Sequence, residues 1–233
     1  LEAWGEAEAA FNAARTAPEA LAAPALAALR LGQLTLRKGE AADAVTFLDD
    51  ALGAEPPPEG DVALTCHQAL QEAYSRAGQW REAAAAFEAE AGDPRTGHGD
   101  GQRAAAWFAA AEIHRRRLGT ADEARRLYDE VVEAAPDHLG ALNGLTVLAA
   151  GGGDWERVAA LTEHKLELLA GTEEVTPLLE ELALLYAKRL DRPQAARSTF
   201  ERVLERVPDH REALFFVGHD ALVCGDLDVA RGR

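Results

Sequence analysis

The chain has 233 residues, of which 48% are hydrophobic, and a formal net charge of −16. That length supports a substantial core, while the acidic balance disfavours nucleic acid, whose phosphates require a basic patch. No apolar run reaches the roughly 18 residues that a membrane-spanning helix needs.

An alanine recurs along the chain at intervals of 34 to 41 residues, each time near the start of a predicted helix. Its occurrences are Ala7, Ala44, Ala83, Ala124, Ala196 and Ala230, with Val158 in the equivalent place. Four positions later comes a residue that is bulky in every case but Thr162: Phe11, Leu48, Phe87, Tyr128, Thr162 and Phe200. A period near 34 predicts helix pairs stacked in tandem, since one amphipathic pair cannot bury its apolar faces alone.

The first helix of each predicted pair has its own pattern, a large apolar residue followed by a small one, which is clearest at Leu31-Gly32 and Val217-Gly218. A proline follows most second helices, as at Pro56. With these marks the chain resembles the tetratricopeptide repeat (TPR) family over essentially its whole length. It departs from the family pattern at Gln71, Thr146 and Thr162, and by one extra residue at Leu118–Gly119 and at Leu190–Asp191.

The resemblance implies an all-α, right-handed helix-pair solenoid, a TPR-like superhelix of about twelve antiparallel helices. We expect one segment over residues 1–233, cut from a longer protein. Its predicted units are a partial repeat at 1–20, repeats at about 25–58, 64–97, 104–138, 139–172 and 175–210, and a partial repeat at 211–233.

Four local features carry expectations of their own. Pro136-Asp137-His138 and Pro208-Asp209-His210 read as a helix stop followed by a new start, with the aspartate as the capping side chain; Asp154 is predicted to cap in the same way. Residues 92–101 are predicted to be a flexible connector. The alternative there, a cation held by Asp93 and Asp100, lacks the spacing of a calcium loop.

The run Arg115-Arg116-Arg117 is the one dense group of basic residues. We interpret it as a solvated helix end, where positive charge favours the helix dipole. A site for phosphate or an acidic partner is the alternative. Trp4, Trp80 and Trp155 all fall just before or at the start of a second helix, and this recurrence indicates a structural role.

No zinc-protease motif, nucleophile elbow or phosphate-binding loop is present in the sequence. Carboxylates are spread over the predicted helix faces, so no pair stands out as an acid and a base. Cys66 and Cys224 lie in distant repeats, which makes a disulfide between them improbable. We therefore predict that the chain is not an enzyme and has no catalytic, cofactor or metal site.

In proteins of this family the concave surface, lined by first helices, binds peptides or partner helices. Helical spacing places eight candidate partner-binding residues there: Gln33, Gln68, Glu72, Phe108, Glu112, Asn143, Val147 and Leu184. Phe108, Phe215 and Phe216 are candidate apolar anchors, with packing between helices as the alternative. The Lys and Asn set with which chaperone-binding members hold a terminal carboxylate is lacking.

The predicted function is a protein–protein interaction scaffold that binds a peptide or helix with basic and apolar groups in the groove. The alternative is a regulatory or assembly segment of a larger multidomain protein. Leu214, Val217, Leu222 and Val223 are expected to lack a complete partner helix, which predicts fraying or self-association through the exposed terminal repeats. An excess of arginine over lysine, 21 to 3, suggests a bacterial source, and a cytoplasmic location is favoured.

Overall fold

A computed structural model describes residues 2–16 and 23–223, and within these ranges the chain forms twelve α-helices and no β-strand. The all-α fold of paired helices predicted from the sequence is confirmed. The chain divides into two compact units, Leu1–Ala141 and Leu142–Arg233. The proposed repeat boundaries stay a prediction.

The first unit contains seven helices and the start of an eighth. They are α1 (Glu2–Thr16), α2 (Ala23–Lys38), α3 (Ala41–Leu52), α4 (Gly60–Ala77), α5 (Trp80–Gly92), α6 (Asp100–Ile113), α7 (Ala121–Ala134) and α8 (Leu139–Gly151). Short turns join α2 to α3, α4 to α5 and α6 to α7, so each of these pairs is a hairpin whose helices pack on one another.

The second unit contains the rest of α8 and four further helices. They are α9 (Trp155–Leu168), α10 (Val175–Lys188), α11 (Pro193–Arg206) and α12 (Arg211–Val223). The core of this unit is one cluster in which Leu182, Ala196, Phe200 and Val217 are almost completely buried.

The recurring alanines occupy the closest helix contacts. Ala44, Ala83, Ala124 and Ala196 are each fully buried, as the repeat pattern predicts. Ala7 and Ala230 lie outside the described side chains. Close approach is most severe at Gly32, where an added Cβ would lie 2.6 Å from the side chain of Leu48. Even alanine would therefore force Leu48 to move, so this position of the hairpin favours glycine.

The turn inside each hairpin contains one residue in the left-handed conformation. Gly39, Gly78, Gly119 and Gly153 fill this position with φ between 67° and 89°. Asp191 fills it in the α10–α11 turn with φ of 50°. Aspartate is one of the few residues other than glycine that adopt this conformation. Asp191 can therefore take the place of glycine in the α10–α11 turn.

Each of the two Pro-Asp-His segments precedes a helix, and the histidine of the segment caps that helix. The ring Nδ1 of His138 accepts a hydrogen bond from the backbone N–H of Ala141 at 3.1 Å, and His210 accepts one from Ala213 at 3.3 Å. The prediction that Asp137 and Asp209 supply the caps is therefore wrong. At α9 the predicted cap is confirmed, since Asp154 accepts from the backbone N–H of Arg157 at 3.1 Å.

Replacing His210 with alanine should lower the free energy of unfolding by about 1 kcal/mol, the usual effect of removing a side-chain cap. Urea denaturation followed by helical circular dichroism would measure the change. Asp209→Ala is the matched control, and we expect it to change stability by less than about 0.5 kcal/mol. A larger loss for Asp209→Ala than for His210→Ala would return the capping role to the aspartate.

Both described tryptophans at helix starts pack against an arginine near the end of the next first helix. The guanidinium of Arg117 lies 4.6 Å from the ring centre of Trp80, and that of Arg189 lies 4.7 Å from that of Trp155. Such cation–π contacts join consecutive helix pairs within each unit. This recurrence supports the structural role predicted for Trp80 and Trp155, while the side chain of Trp4 lies outside the described residues.

The segment from Gly92 to Gly101 differs from the predicted flexible connector. Pro94–Thr96 forms a turn of 3-10 helix, and α6 already begins at Asp100. The side chain of Asp93 accepts from the backbone N–H of Arg95, and the Thr96 hydroxyl donates to the carbonyl of Asp93. The segment is therefore a hydrogen-bonded turn between α5 and α6.

The arginine run lies in a π-helical turn, His114–Leu118, which absorbs the extra residue predicted for the following turn. Arg115 and Arg116 both form ion pairs with Glu112, and Arg117 covers Trp80. The run therefore lies at a helix end, as interpreted, and Arg116 and Arg117 are exposed there. Each of the three arginines also makes one of these contacts within the chain.

Candidate functional site

Three of the predicted groove residues line one cavity in the first unit. Gln33 of α2 and Gln68 and Glu72 of α4 face a space of about 360 Å³ between the two helices. Thr65, Gln68, Glu72 and Arg76 follow one another at helical spacing, so α4 presents a continuous polar stripe to this cavity.

Charged side chains from both helices line this first cavity: Arg37 from α2, and Glu72 and Arg76 from α4. Glu72 forms an ion pair with Arg76 at 2.6 Å, and both side chains are about half exposed. Arg76 also donates to the carbonyl of Leu36 at 3.0 Å, and Arg30 donates to the side-chain carbonyl of Gln33 at 2.8 Å. Exposed pairs of this kind contribute little to stability, so their side chains are free to exchange partners.

A second cavity of about 290 Å³ lies on the other side of α4, between α4, α5 and α6. Gln68 lines both cavities, so they flank α4 as one furrow, which we call the α4 furrow. The second cavity has apolar walls at Leu64 and Phe87. Gln71, Glu90 and His98 give it a polar lining.

Beneath the second cavity lies a buried polar cluster. Gln71 donates its side-chain amide to one carboxylate oxygen of Glu90, and the ring Nε2 of His98 lies 2.8 Å from the other oxygen. The side chains of Glu90 and His98 are 9% and 5% exposed. The ring Nδ1 of His98 is buried and has no hydrogen-bond partner.

A second buried group adjoins it along the chain. The carboxylate of Asp93 pairs with the guanidinium of Arg95 at 2.8 Å and with the ring Nε2 of His67 at 2.9 Å. The hydrogen bonds from Arg95 lower the pKa of Asp93 well below its ordinary value, against the opposing effect of burial. Burial raises the pKa of the nearby Cys66 thiol to about 11, so that thiol is unreactive at neutral pH.

The sequence contains a signal for this cluster at Gln71, which departs from the repeat pattern. Gln71 occupies the position that Gly32 holds in the preceding repeat, and Glu90 occupies the position of Ala51. Two small residues of the pattern are thus replaced by two polar ones that bond to each other. Neither Glu90 nor His98 is a predicted site residue.

Phe108 and Glu112 of α6 are engaged within the first unit. Phe108 is half-buried, with its ring centre 4.6 Å from that of His138 and 5.9 Å from that of Tyr128. Glu112 accepts hydrogen bonds from Arg115 and Tyr128. Burial raises the pKa of Glu112, but these bonds outweigh it, so the net shift is downward. Their role in partner binding stays a prediction.

The remaining predicted groove residues lie in the second unit. Val147 is 58% exposed, Leu184 packs against the core cluster, and Asn143 accepts a hydrogen bond from the ammonium of Lys165 at 3.2 Å. Lys165 is buried, which lowers its pKa against the favourable charge of Glu181. The proximity of a lysine and an asparagine here was not predicted.

The terminal helix α12 combines a buried face with an exposed one. Val217 is fully buried, so the expectation that it lacks cover is wrong. Phe216 packs against Phe200 with ring centres 4.8 Å apart, whereas Phe215 and Leu222 are 76% and 58% exposed. The side chain of Val223 lies outside the described residues, and self-association through this end stays a prediction.

The comparisons with known proteins identify the family. The family model described as tetratricopeptide repeat matches residues 72–138 and 182–232, together more than half of the chain. The chain therefore belongs to the tetratricopeptide repeat family, whose members are generally non-catalytic scaffolds that present extended surfaces to protein partners.

Several solved structures are similar to the chain at low sequence identity. A tetratricopeptide repeat protein from Parabacteroides merdae is 16% identical, with 98% of this chain and 81% of that chain covered and a TM-score of 0.47. YrrB, described as a TPR protein with an unusual peptide-binding site, is 18% identical, with 82% and 90% covered and a TM-score of 0.45. MamA from Desulfovibrio magneticus is 18% identical, with 82% and 99% covered and a TM-score of 0.46. No curated protein matches the chain significantly.

Among the helices in the described ranges, none combines the length and apolar character needed to cross a membrane. Over the same residues, no group of three or more His, Cys, Asp or Glu side chains is arranged to hold a metal ion.

Proposed function

We propose that this interaction scaffold binds a peptide or helical segment of a partner protein along the α4 furrow of the first unit. The observation that carries the proposal is the convergence of Gln33, Gln68 and Glu72 on one cavity. Gln33 lies on α2, whereas Gln68 and Glu72 lie one helical turn apart on α4, and the fold brings the polar groups of the two helices to one surface.

The chemistry of the furrow favours a segment with both polar and apolar groups. The side-chain amides of Gln33 and Gln68 offer donors and acceptors that match a peptide backbone. Leu64 and Phe87 supply apolar surface in the second cavity. Glu72 is half exposed, so it influences charge preference and association rate more than the depth of binding.

A peptide selection with matched variants tests this proposal. Random dodecapeptides displayed on phage would be selected on the folded chain, and the Kd of the selected peptides would be measured by fluorescence anisotropy. The double variant Gln68→Ala with Glu72→Lys should weaken binding roughly tenfold, because it removes the shared amide and inverts the charge beside it.

The control is Glu123→Lys, an equal change of charge on the exposed face of α7. It should leave the Kd within about twofold, since a distant exposed charge is screened by salt. Both variants should keep the helical content and melting temperature of the parent chain. An unchanged Kd in the folded double variant would place the binding surface elsewhere.

A further inference from the structure

Two buried polar side chains, Gln71 and Glu90, lie beneath the second cavity of the α4 furrow at positions where the packing of the helices does not require polar residues. The equivalent positions in the preceding repeat are held by Gly32 and Ala51, and both are buried small residues. Placing Gln71 and Glu90 there costs free energy unless every polar group is satisfied, which an apolar pair would avoid. The pair therefore points to a use for the carboxylate itself.

The negative charge of Glu90 lacks a permanent cation in its hydrogen-bonded surroundings. Its described partners are the neutral amide of Gln71 and the ring of His98. The neighbouring buried carboxylate, Asp93, is instead paired with Arg95. A carboxylate has about four acceptor positions, so each oxygen of Glu90 can accept a further hydrogen bond.

We infer that this cavity is a subsite for one cationic side chain of the partner segment, a lysine or an arginine, with Glu90 as its counter-charge. The inference rests on the proposed function, because it requires that a partner segment lies in the α4 furrow. The inference goes further than the proposed function, because it specifies which kind of partner side chain binds in the second cavity.

The other walls of the cavity suit such a side chain. Leu64 and Phe87 provide apolar surface for the methylene stem of a lysine or arginine. The carboxylate of Glu90 lines the same cavity, so it is an acceptor with a negative charge for the cationic end of that side chain.

A pair of single-residue probes tests the assignment on the whole chain. N-acetyl-lysine N-methylamide and its uncharged analogue, N-acetyl-norleucine N-methylamide, would be titrated into the protein while the imidazole resonances of His98 are followed by NMR. The lysine probe should saturate, and the norleucine probe should bind at least about tenfold more weakly. Glu90→Gln should abolish this difference.

A second variant keeps the test decisive if Glu90→Gln does not fold. Gln102 is exposed and lines the same cavity, so Gln102→Lys should occupy the site from within and block the lysine probe. The matched control is Gln194→Lys on α11, which should leave binding of the probe unchanged.

Equal binding of the two probes, no binding of either, or a lysine preference that survives in folded Glu90→Gln would overturn the inference. Those results are distinguishable from failure of the proposed function. Peptides selected on the furrow would still bind the parent chain and still weaken with Gln68→Ala and Glu72→Lys.

Discussion

Replacing Phe200 with alanine should destabilise the second unit by about 3–5 kcal/mol, the range for removing a buried aromatic side chain. Phe200 is 1% exposed and packs against Phe216. It is the bulky residue four positions after Ala196, so it fills the space beside the closest helix contact. Its removal leaves a cavity that α10 and α12 cannot close without moving.

Phe215→Ala is the matched control, because it removes the same side chain from the exposed face of α12, where Phe215 is 76% exposed. Guanidinium denaturation of both variants would give the difference, and we expect less than about 0.5 kcal/mol for the control. A loss below about 1 kcal/mol for Phe200→Ala would mean that the register of the repeat is wrong.

Replacing Asp93 with alanine should destabilise the first unit by about 1–3 kcal/mol, because it removes a buried carboxylate that accepts hydrogen bonds from His67 and from the partly exposed guanidinium of Arg95. The Asp93 side chain is 8% exposed and accepts from Arg95 and His67. Without it, the guanidinium of Arg95 and the buried ring of His67 lose these bonds. Asp100→Ala is the control, since that side chain is 76% exposed and 3.6 Å from Arg103.

The effect of Asp93→Ala should also depend on pH. Hydrogen bonds from Arg95 and His67 hold the pKa of Asp93 below its ordinary value of 3.8, so its stabilising contribution is complete above that value. The contribution is lost as the pH falls through the lower pKa of the folded state. Denaturation at pH 7 and in acid should therefore show a smaller difference between parent and variant in acid. A difference that grows in acid would contradict this account.

The fold follows from the sequence because its determinants are local and repeated. The alanine and the residue four positions later identify the second helix of each pair, and Gly32 identifies the first. The size of each of these residues is set by contacts inside its own helix pair, so distant parts of the chain do not influence it. A period in the sequence is therefore enough to reveal them, as at Ala44 and Leu48.

The candidate site follows from the sequence only in part. Gln68 and Glu72 are predictable, because helical spacing from the core positions of α4 places them on its exposed face. Glu90 is not, since its partner Gln71 lies 19 residues away on the facing helix. The departure at Gln71 is visible in the sequence, but the structure is needed to show what compensates it.

The helix starts show a similar limit. Aspartate is a commoner capping residue than histidine, so Asp209 is the better choice from the sequence. The choice fails because α12 begins one residue later than that interpretation requires, which puts the ring of His210 over the first turn.

Site-specific photo-crosslinking tests the central proposal most directly. The photoreactive residue p-benzoylphenylalanine would replace either Gln68, in the α4 furrow, or Arg125, on the exposed face of α7. Each protein would then be irradiated with a peptide selected on the parent chain. We predict a covalent adduct from position 68, blocked by excess unlabelled peptide, and none from position 125. An adduct from position 125 with none from position 68 would contradict binding in the furrow.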